Sequence, residues 1–238
     1  MALSNSFSFT LNRDALIKRA LLMLGVISAN QSPDSGETTS ASNALNLMLK
    51  AWQADGLNLW QVTQVSVTPT SSATYTFGPT GALTTYRPTD VLEVYRAETN
   101  SNTWVPLTRM SREGFNSLSD HDTTGTPVNY YYNNDKTDGT LSVWPIADST
   151  FISGSTLEVL LSKPFDDMNS ASDELAFPVE WELSIVYGLA VILAPEYGIP
   201  TTDQRMLQTT AQVEKERVMD WDTEHASIFL IPEHTRRG

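Results

Sequence analysis

Between Phe177 and Gly198 the chain reads FPVEWELSIVYGLAVILAPEYG, its longest continuous apolar segment. Pro178 suits a first helical position, where a missing N–H costs nothing, and Pro195, Gly198 and Pro200 close the segment, so one helix is expected. Val179, Leu183, Val186, Ala190, Leu193 and Tyr197 follow helical spacing on one face, and Trp181, Ile185, Leu189 and Ile192 make the neighbouring face apolar too. A helix apolar nearly all round must be surrounded. The run from Leu183 to Ala194 falls short of the roughly 18–20 residues a bilayer span needs, and it contains Ser184. Other protein is therefore its expected environment, with further helices packed on it.

The chain has 238 residues, enough to bury a core without staples, and no cysteine. Disulfides, thiolate metal sites and cysteine nucleophiles are excluded, which suits a cytoplasmic life. Fifteen Lys and Arg against 28 Asp and Glu give a formal net charge of −13. Gripping nucleic acid over a broad basic surface is disfavoured, and an acidic surface repels phosphate. Lys18-Arg19 followed by ALLMLGVISA imitates a secretory signal. It stands behind 17 residues, and Asp14 among them continues the same helical pattern, so the chain reads as unexported and free of membrane spans.

In order, Met1 to Phe9 reads as an extended arm, and Thr10 or Asn12 can cap a first helix striped by Leu16, Ala20, Met23, Leu24 and Ile27. Gly25 ends it. Asp34 and Glu37 have capping-box spacing before a second helix whose buried face is Ala41, Ala44, Leu45, Met48 and Trp52, terminated at Gly56. From Leu59 the texture becomes short apolar runs divided by turn residues. Candidate strands are 61–67, 73–77, 91–95, 104–107, 128–132, 141–144 and 157–161, with one helical insertion from Met110 to Leu118 capped by Ser111. Asn134 to Gly139 reads as a hairpin loop with the glycine left-handed. A weakly striped helix, Asp203 to about Asp222, contains Met206, Val213, Val218 and Trp221. Last comes a polar tail broken by the tetrad Ile228-Phe229-Leu230-Ile231. The expected class is α+β: a helical bundle carrying a large antiparallel β-sandwich or barrel-like insertion, and an extended C-terminal tail. Its expected divisions are 1–58, a helical hairpin; 59–165, the β-rich insertion; 166–222, helices completing the helical domain; and 223–238, the tail.

Chemistry is sparse. His121, His225 and His234 fit no spaced metal set, and Asp120-His121-Asp122 reads as a polar loop. The glycines form no phosphate-cradling loop. Glu180 and Glu182 flank Trp181, and Asp166-Asp167 follows the last strand, so paired acids of the kind a glycoside hydrolase uses exist on paper. A chain with 28 acids makes such neighbours by chance, however, and the first turn of a helix favours carboxylates anyway. No catalytic, metal or cofactor-binding residue is assigned. Tyr130-Tyr131-Tyr132 and Trp104 suggest a partner-facing β surface, although period-two geometry turns Tyr131 opposite to the other two.

The order of elements resembles the head-to-tail adaptor proteins of short-tailed bacteriophages, also called tail tubular or tail accessory proteins. The residues that carry the resemblance are Ala15 to Gly25 with its LLMLG ending, Ala44 to Trp52 leading into Gly56 to Trp60, Gly125 to Tyr131, Leu141 to Pro145, and Phe177 to Trp181 with Leu189-Ala190 and Glu196 to Gly198. What the resemblance implies is a structural virion protein at the head–tail junction, assembled in the host cytoplasm and not an enzyme. It implies a homo-oligomeric ring, dodecameric in the family, seated beneath the portal protein and presenting sites for the tail nozzle and for tail fibres or spikes. By the same resemblance, DNA is expected to pass through the lumen without specific binding, no cofactor is expected, and Ile228, Phe229, Leu230 and Ile231 are expected to reach the portal. Two other classes stay open: a receptor- or carbohydrate-binding module using Trp104, Tyr130 and Tyr132, and a wall hydrolase using Glu180 or Asp167.

Overall fold

A computed structural model of the chain describes residues 9–56, 61–81, 83–99, 101 and 103–221. The arm before Phe9 and the tail 223–238 lie outside them. The protein is α+β, with six α-helices among the described residues, and it divides into two compact units: residues 1–48 with 167–238, and residues 49–166.

The helical unit starts at α1 (Arg13–Met23). Asn12 Oδ1 accepts the Ala15 N–H at 2.9 Å, and Gly25 leaves the helix at φ +71°. Leu16, Ile17, Ala20, Leu21 and Ile27 are buried, while Met23 and Leu24 are only partly covered. The buried stripe is thus rotated from the expected one, because the helix stops at Met23 and Leu24 is already its cap. In α2 (Ser35–Ala54) the capping box forms as read: Asp34 Oδ1 accepts the Glu37 N–H at 2.7 Å and Glu37 Oε2 accepts the Asp34 N–H at 2.9 Å. Asn46 then holds the Met168 backbone by both its N–H, at 2.9 Å, and its carbonyl, at 3.4 Å.

The central apolar segment forms a 3-10 turn (Val179–Trp181) running into α5 (Glu182–Leu193). Trp181, Ile185, Leu189 and Leu193 are fully buried, and α1 and α6 (Thr201–Trp221) both pack on α5. The covering is incomplete. Val179, Leu183 and Ile192 stay exposed while Glu182 and Ser184 are buried, so the polar side chains, not the apolar ones, fill part of the inner face. Val218 of α6 is buried; Met206 and Val213 are not. Pairs along α6, Arg217 with Glu214 and Gln212 with Glu216, support a helix that carries little apolar surface inward.

Among the described residues the β unit contains two open four-stranded sheets, neither a closed barrel. One runs β1 (Val62–Val67), β10 (Ser155–Ser162), β3 (Asp90–Glu98), β4 (Trp104–Pro106), all antiparallel. The other runs β2 (Thr74–Phe77), β8 (Gly139–Trp144), β7 (Asn129–Asn134), β5 (Thr108–Arg109). Here β5 pairs with β7 in parallel, as β6 (Thr124–Gly125) does with β9 (Ile146–Ala147), a departure from the all-antiparallel expectation. The run expected as one strand at 104–107 changes sheet at buried Leu107, which still donates its N–H to Val94 O at 2.8 Å while Thr108 N–H turns to Val128 O at 2.8 Å. Alternate residues from both sheets meet in one core: Leu157, Val159 and Leu161 of β10 and Val91 and Val94 of β3 face Phe77, Tyr130, Leu141 and Val143. Two short helices, α3 (Arg112–Asn116) and α4 (Ser149–Gly154), are capped by Ser111 and Asp148.

Candidate functional site

Residue-level alternation along β7 decides the fate of the tyrosine run. Tyr130 and Tyr132 point inward, where they are 2% and 6% exposed, and their hydroxyls donate to Leu92 O at 3.1 Å and Pro88 O at 2.9 Å. Burial raises both phenols, Tyr132 to about 12. They are core residues. The expectation that they belong to a partner-facing surface is corrected, because the neighbouring β8 and the opposite sheet bury this face. Gly139, expected in a left-handed turn, is instead the first residue of β8, paired with Asn134 and lying under the Tyr132 ring.

What β7 does present outward is Tyr131. Its hydroxyl accepts from Arg112 Nε at 2.8 Å, and its ring stacks on Phe115 at 5.6 Å, which leans in turn on His121 at 5.4 Å. Arg112 also bonds Asn133, the next outward residue. On the other sheet, Trp104 is 44% exposed on edge strand β4 and tilts against Tyr95 at 5.8 Å. The Tyr95 hydroxyl bonds the Glu93 carboxylate, which holds its phenol above the ordinary range. Of the three residues expected on one surface, only Trp104 is outside.

The candidate acids stand in unlike settings. Glu182 is buried and its Oε1 accepts the Leu11 N–H at 2.8 Å, whereas Glu180, two residues earlier, is exposed. Asp166 pairs with Lys163 at 2.8 Å, and Asp167 is exposed. Asp120 spends its carboxylate on its own loop, accepting from the Asp122 N–H and the Thr123 hydroxyl at 2.9 Å each. Those two bonds hold Asp120 below the usual carboxylate range. Among the described residues no group of three His, Asp or Glu side chains is placed to hold a metal. His225, His234 and the tetrad Ile228–Ile231 lie outside the described residues.

No family model matches this chain. A search of curated proteins returns no match either. No helix among the described residues is long and apolar enough to cross a membrane.

Large apolar side chains also stand exposed on the helices. Met206 is 67% exposed and Val213 55%, two turns apart on one side of α6, and Leu47 on α2 is 73% exposed. Met206, Val213, Val218 and Trp221 are the apolar residues of the weakly striped helix expected from the sequence. Helical geometry puts Val218 about a third of a turn away from the line of Met206 and Val213, a separation that wheel arithmetic alone could have detected. Sequence reasoning also missed Glu158, buried on the outer face of β10 with its carboxylate accepting from Gln64 at 2.8 Å, Ser66, and Thr156 at 3.0 Å. Three polar neighbours at period two, Gln64 and Ser66 on β1 with Thr156 on β10, were the available signal.

Proposed function

We propose that the chain is a structural virion protein, the head-to-tail adaptor of a short-tailed bacteriophage, assembling as a ring beneath the portal. The observation that supports assembly is the exposure of Met206 and Val213 on α6, large apolar side chains on an otherwise polar helix. Singly exposed apolar residues are ordinary, but two aligned on one helix line form a ridge that a neighbouring copy can cover. The portal as partner comes from the ordered motifs that resemble the adaptor family, from the LLMLG ending of α1 to Glu196-Tyr197-Gly198. In this reading the helices act as a bundle that builds the ring, the β unit turns outward-facing Trp104 and Tyr131 towards nozzle, fibre or spike proteins, and residues 223–238 are an extended tail reaching the portal. The net charge of −13 keeps passing DNA from adhering.

Burial of Tyr130 and Tyr132 removes two of the three residues on which a carbohydrate platform depended, and the hydrolase reading loses Glu182, which is buried and bonded to the Leu11 N–H. The test is truncation from Ser227 onward. The shortened chain is expected to keep the circular dichroism of the full one and to lose attachment to portal rings in co-sedimentation. Undiminished attachment would contradict the assignment of the tail.

A further inference from the structure

Within the helical unit, α1 and α5 leave between them an open groove of about 440 Å³. Leu11, Leu22, Leu183 and Val186 supply its apolar walls, and Phe9, itself 67% exposed, stands at one end. Two features keep it from being plain grease. Lys18 and Arg19 line it from α1, and Glu182 lines it from α5. Glu182 is 6% exposed; Oε1 takes the Leu11 N–H, but the buried Oε2 has no hydrogen-bond partner. With Oε2 closed off behind that wall, what the groove offers an occupant is its apolar lining and the two cations.

We infer that this groove docks the chain's own segment Ile228-Phe229-Leu230-Ile231, in the same molecule. The course of the chain carries the choice. After α5 the chain reverses, and α6 packs back along α5 to touch the 3-10 turn Val179–Trp181, the residues immediately before Glu182. The second half of α6 therefore reaches the end of α5 that bears the groove, and the helix closes at Trp221. Ile228 stands seven residues further on. Seven residues span at most about 23–25 Å when extended, enough to turn back over the width of one helix, itself about 10–12 Å. The chemistry matches as well. The tetrad is four consecutive apolar residues for an apolar trough. Pro232 ends the apolar run, and the acidic Glu233 that follows is opposite in charge to the Lys18 and Arg19 of the groove. A docked tail shields the apolar tetrad until a partner claims it, and any such partner must first empty the groove. This inference stands on the groove and the course of the chain, independently of the adaptor reading.

The chain has no cysteine of its own, so paired substitutions in the full-length protein test it directly. Leu183 is 45% exposed, and replacing it on the rim leaves the core untouched. Leu183→Cys with Leu230→Cys, in dilute protein under mild oxidation, is expected to close an intrachain disulfide, identified by peptide mapping. Closure should run at least about tenfold faster than for Leu47→Cys with Leu230→Cys, an exposed position on α2 outside the groove lining, because docking raises the local concentration of the tail at one place only. Leu183→Cys with Phe7→Cys is made in parallel. Equal rates for the Leu183 and Leu47 pairs, preferential closure to Phe7, or a disulfide that forms only between chains would each overturn the assignment, the last by giving the groove to a second copy's tail.

Discussion

Replacing Gly139 with alanine should cripple the β unit, and the size of the effect follows from one ring. A Cβ built at Gly139 falls 1.9 Å from Tyr132 Oη, 2.6 Å from Cζ and 2.7 Å from Cε2. Carbon contacts are comfortable only at about 3.5–4.0 Å, so the ring must retreat by about 1 Å or more. It has nowhere to go: Tyr132 is 6% exposed and its hydroxyl is tied to Pro88 O at 2.9 Å. Forced repacking costs about 1–3 kcal/mol, and breaking the bond to leave a buried carbonyl unpaired costs about 1–3 kcal/mol more. The total, about 2–6 kcal/mol, is a large share of the roughly 5–15 kcal/mol that holds a domain folded. Urea unfolding followed by near-ultraviolet circular dichroism of the tyrosines, with hydrogen exchange of the β7 and β8 amides, reads the loss. Gly154→Ala is the control, since its added Cβ meets nothing within 4 Å and should change stability by less than about 0.5 kcal/mol. Combining Gly139→Ala with Tyr132→Leu should cost less than the sum of the two by about 1 kcal/mol or more, because the collision is shared. A Gly139→Ala protein as stable as the Gly154→Ala one, or strict additivity in the double variant, would refute the reasoning.

Glu158 sets an acid limit on the same unit. Burial pushes its carboxyl up, but the bonds from Ser66, Gln64 and Thr156 together outweigh it and hold the group below the ordinary 4.5. A depressed carboxylate contributes stability that is present above the unfolded value and lost as pH falls through the folded one. Glu158→Gln should therefore unfold about 1–2 kcal/mol more easily at neutral pH, with the gap shrinking as the pH falls through and below 4.5; a gap that does not change with pH counts against the charge as its cause. Met206→Asp with Val213→Asp should leave the subunit's stability within about 0.5 kcal/mol of the parent, both sites being exposed, yet abolish self-association measured by sedimentation. Association that survives both charges removes α6 from the interface.

Features that depend on a few neighbouring residues could be read from the chain alone. The reciprocal bonds of Asp34 and Glu37, the Asn12 and Ser111 caps, and the inward alternation of Leu157, Val159 and Leu161 are all local, and all stand in the structure. Features set by how elements dock could not. Whether Leu183 or Ser184 faces inward on α5 depends on where α1 and α6 lie against it, and helical periodicity supplies no such information. The short parallel strands Thr108–Arg109 and Thr124–Gly125 are two residues each, too brief to show a period. Gly139 reads as a turn residue because glycine favours turns, while its actual reason is the ring of Tyr132 seven positions back across the hairpin. The tyrosine run shows the same limit: alternation separated Tyr131 from its neighbours, but only the second sheet determines which side is the inside.

Ring formation by copies of this chain on a portal is the claim on which the functional account rests, and particle mass tests it most directly. Purified full-length protein, alone and mixed with portal rings, should be weighed by sedimentation and imaged by electron microscopy. The account predicts rotationally symmetric particles whose mass on the portal rises by a multiple of 26.3 kDa, twelve copies if the family's ring is kept. A particle that stays at 26.3 kDa in both preparations, with no density added to the portal, would contradict it.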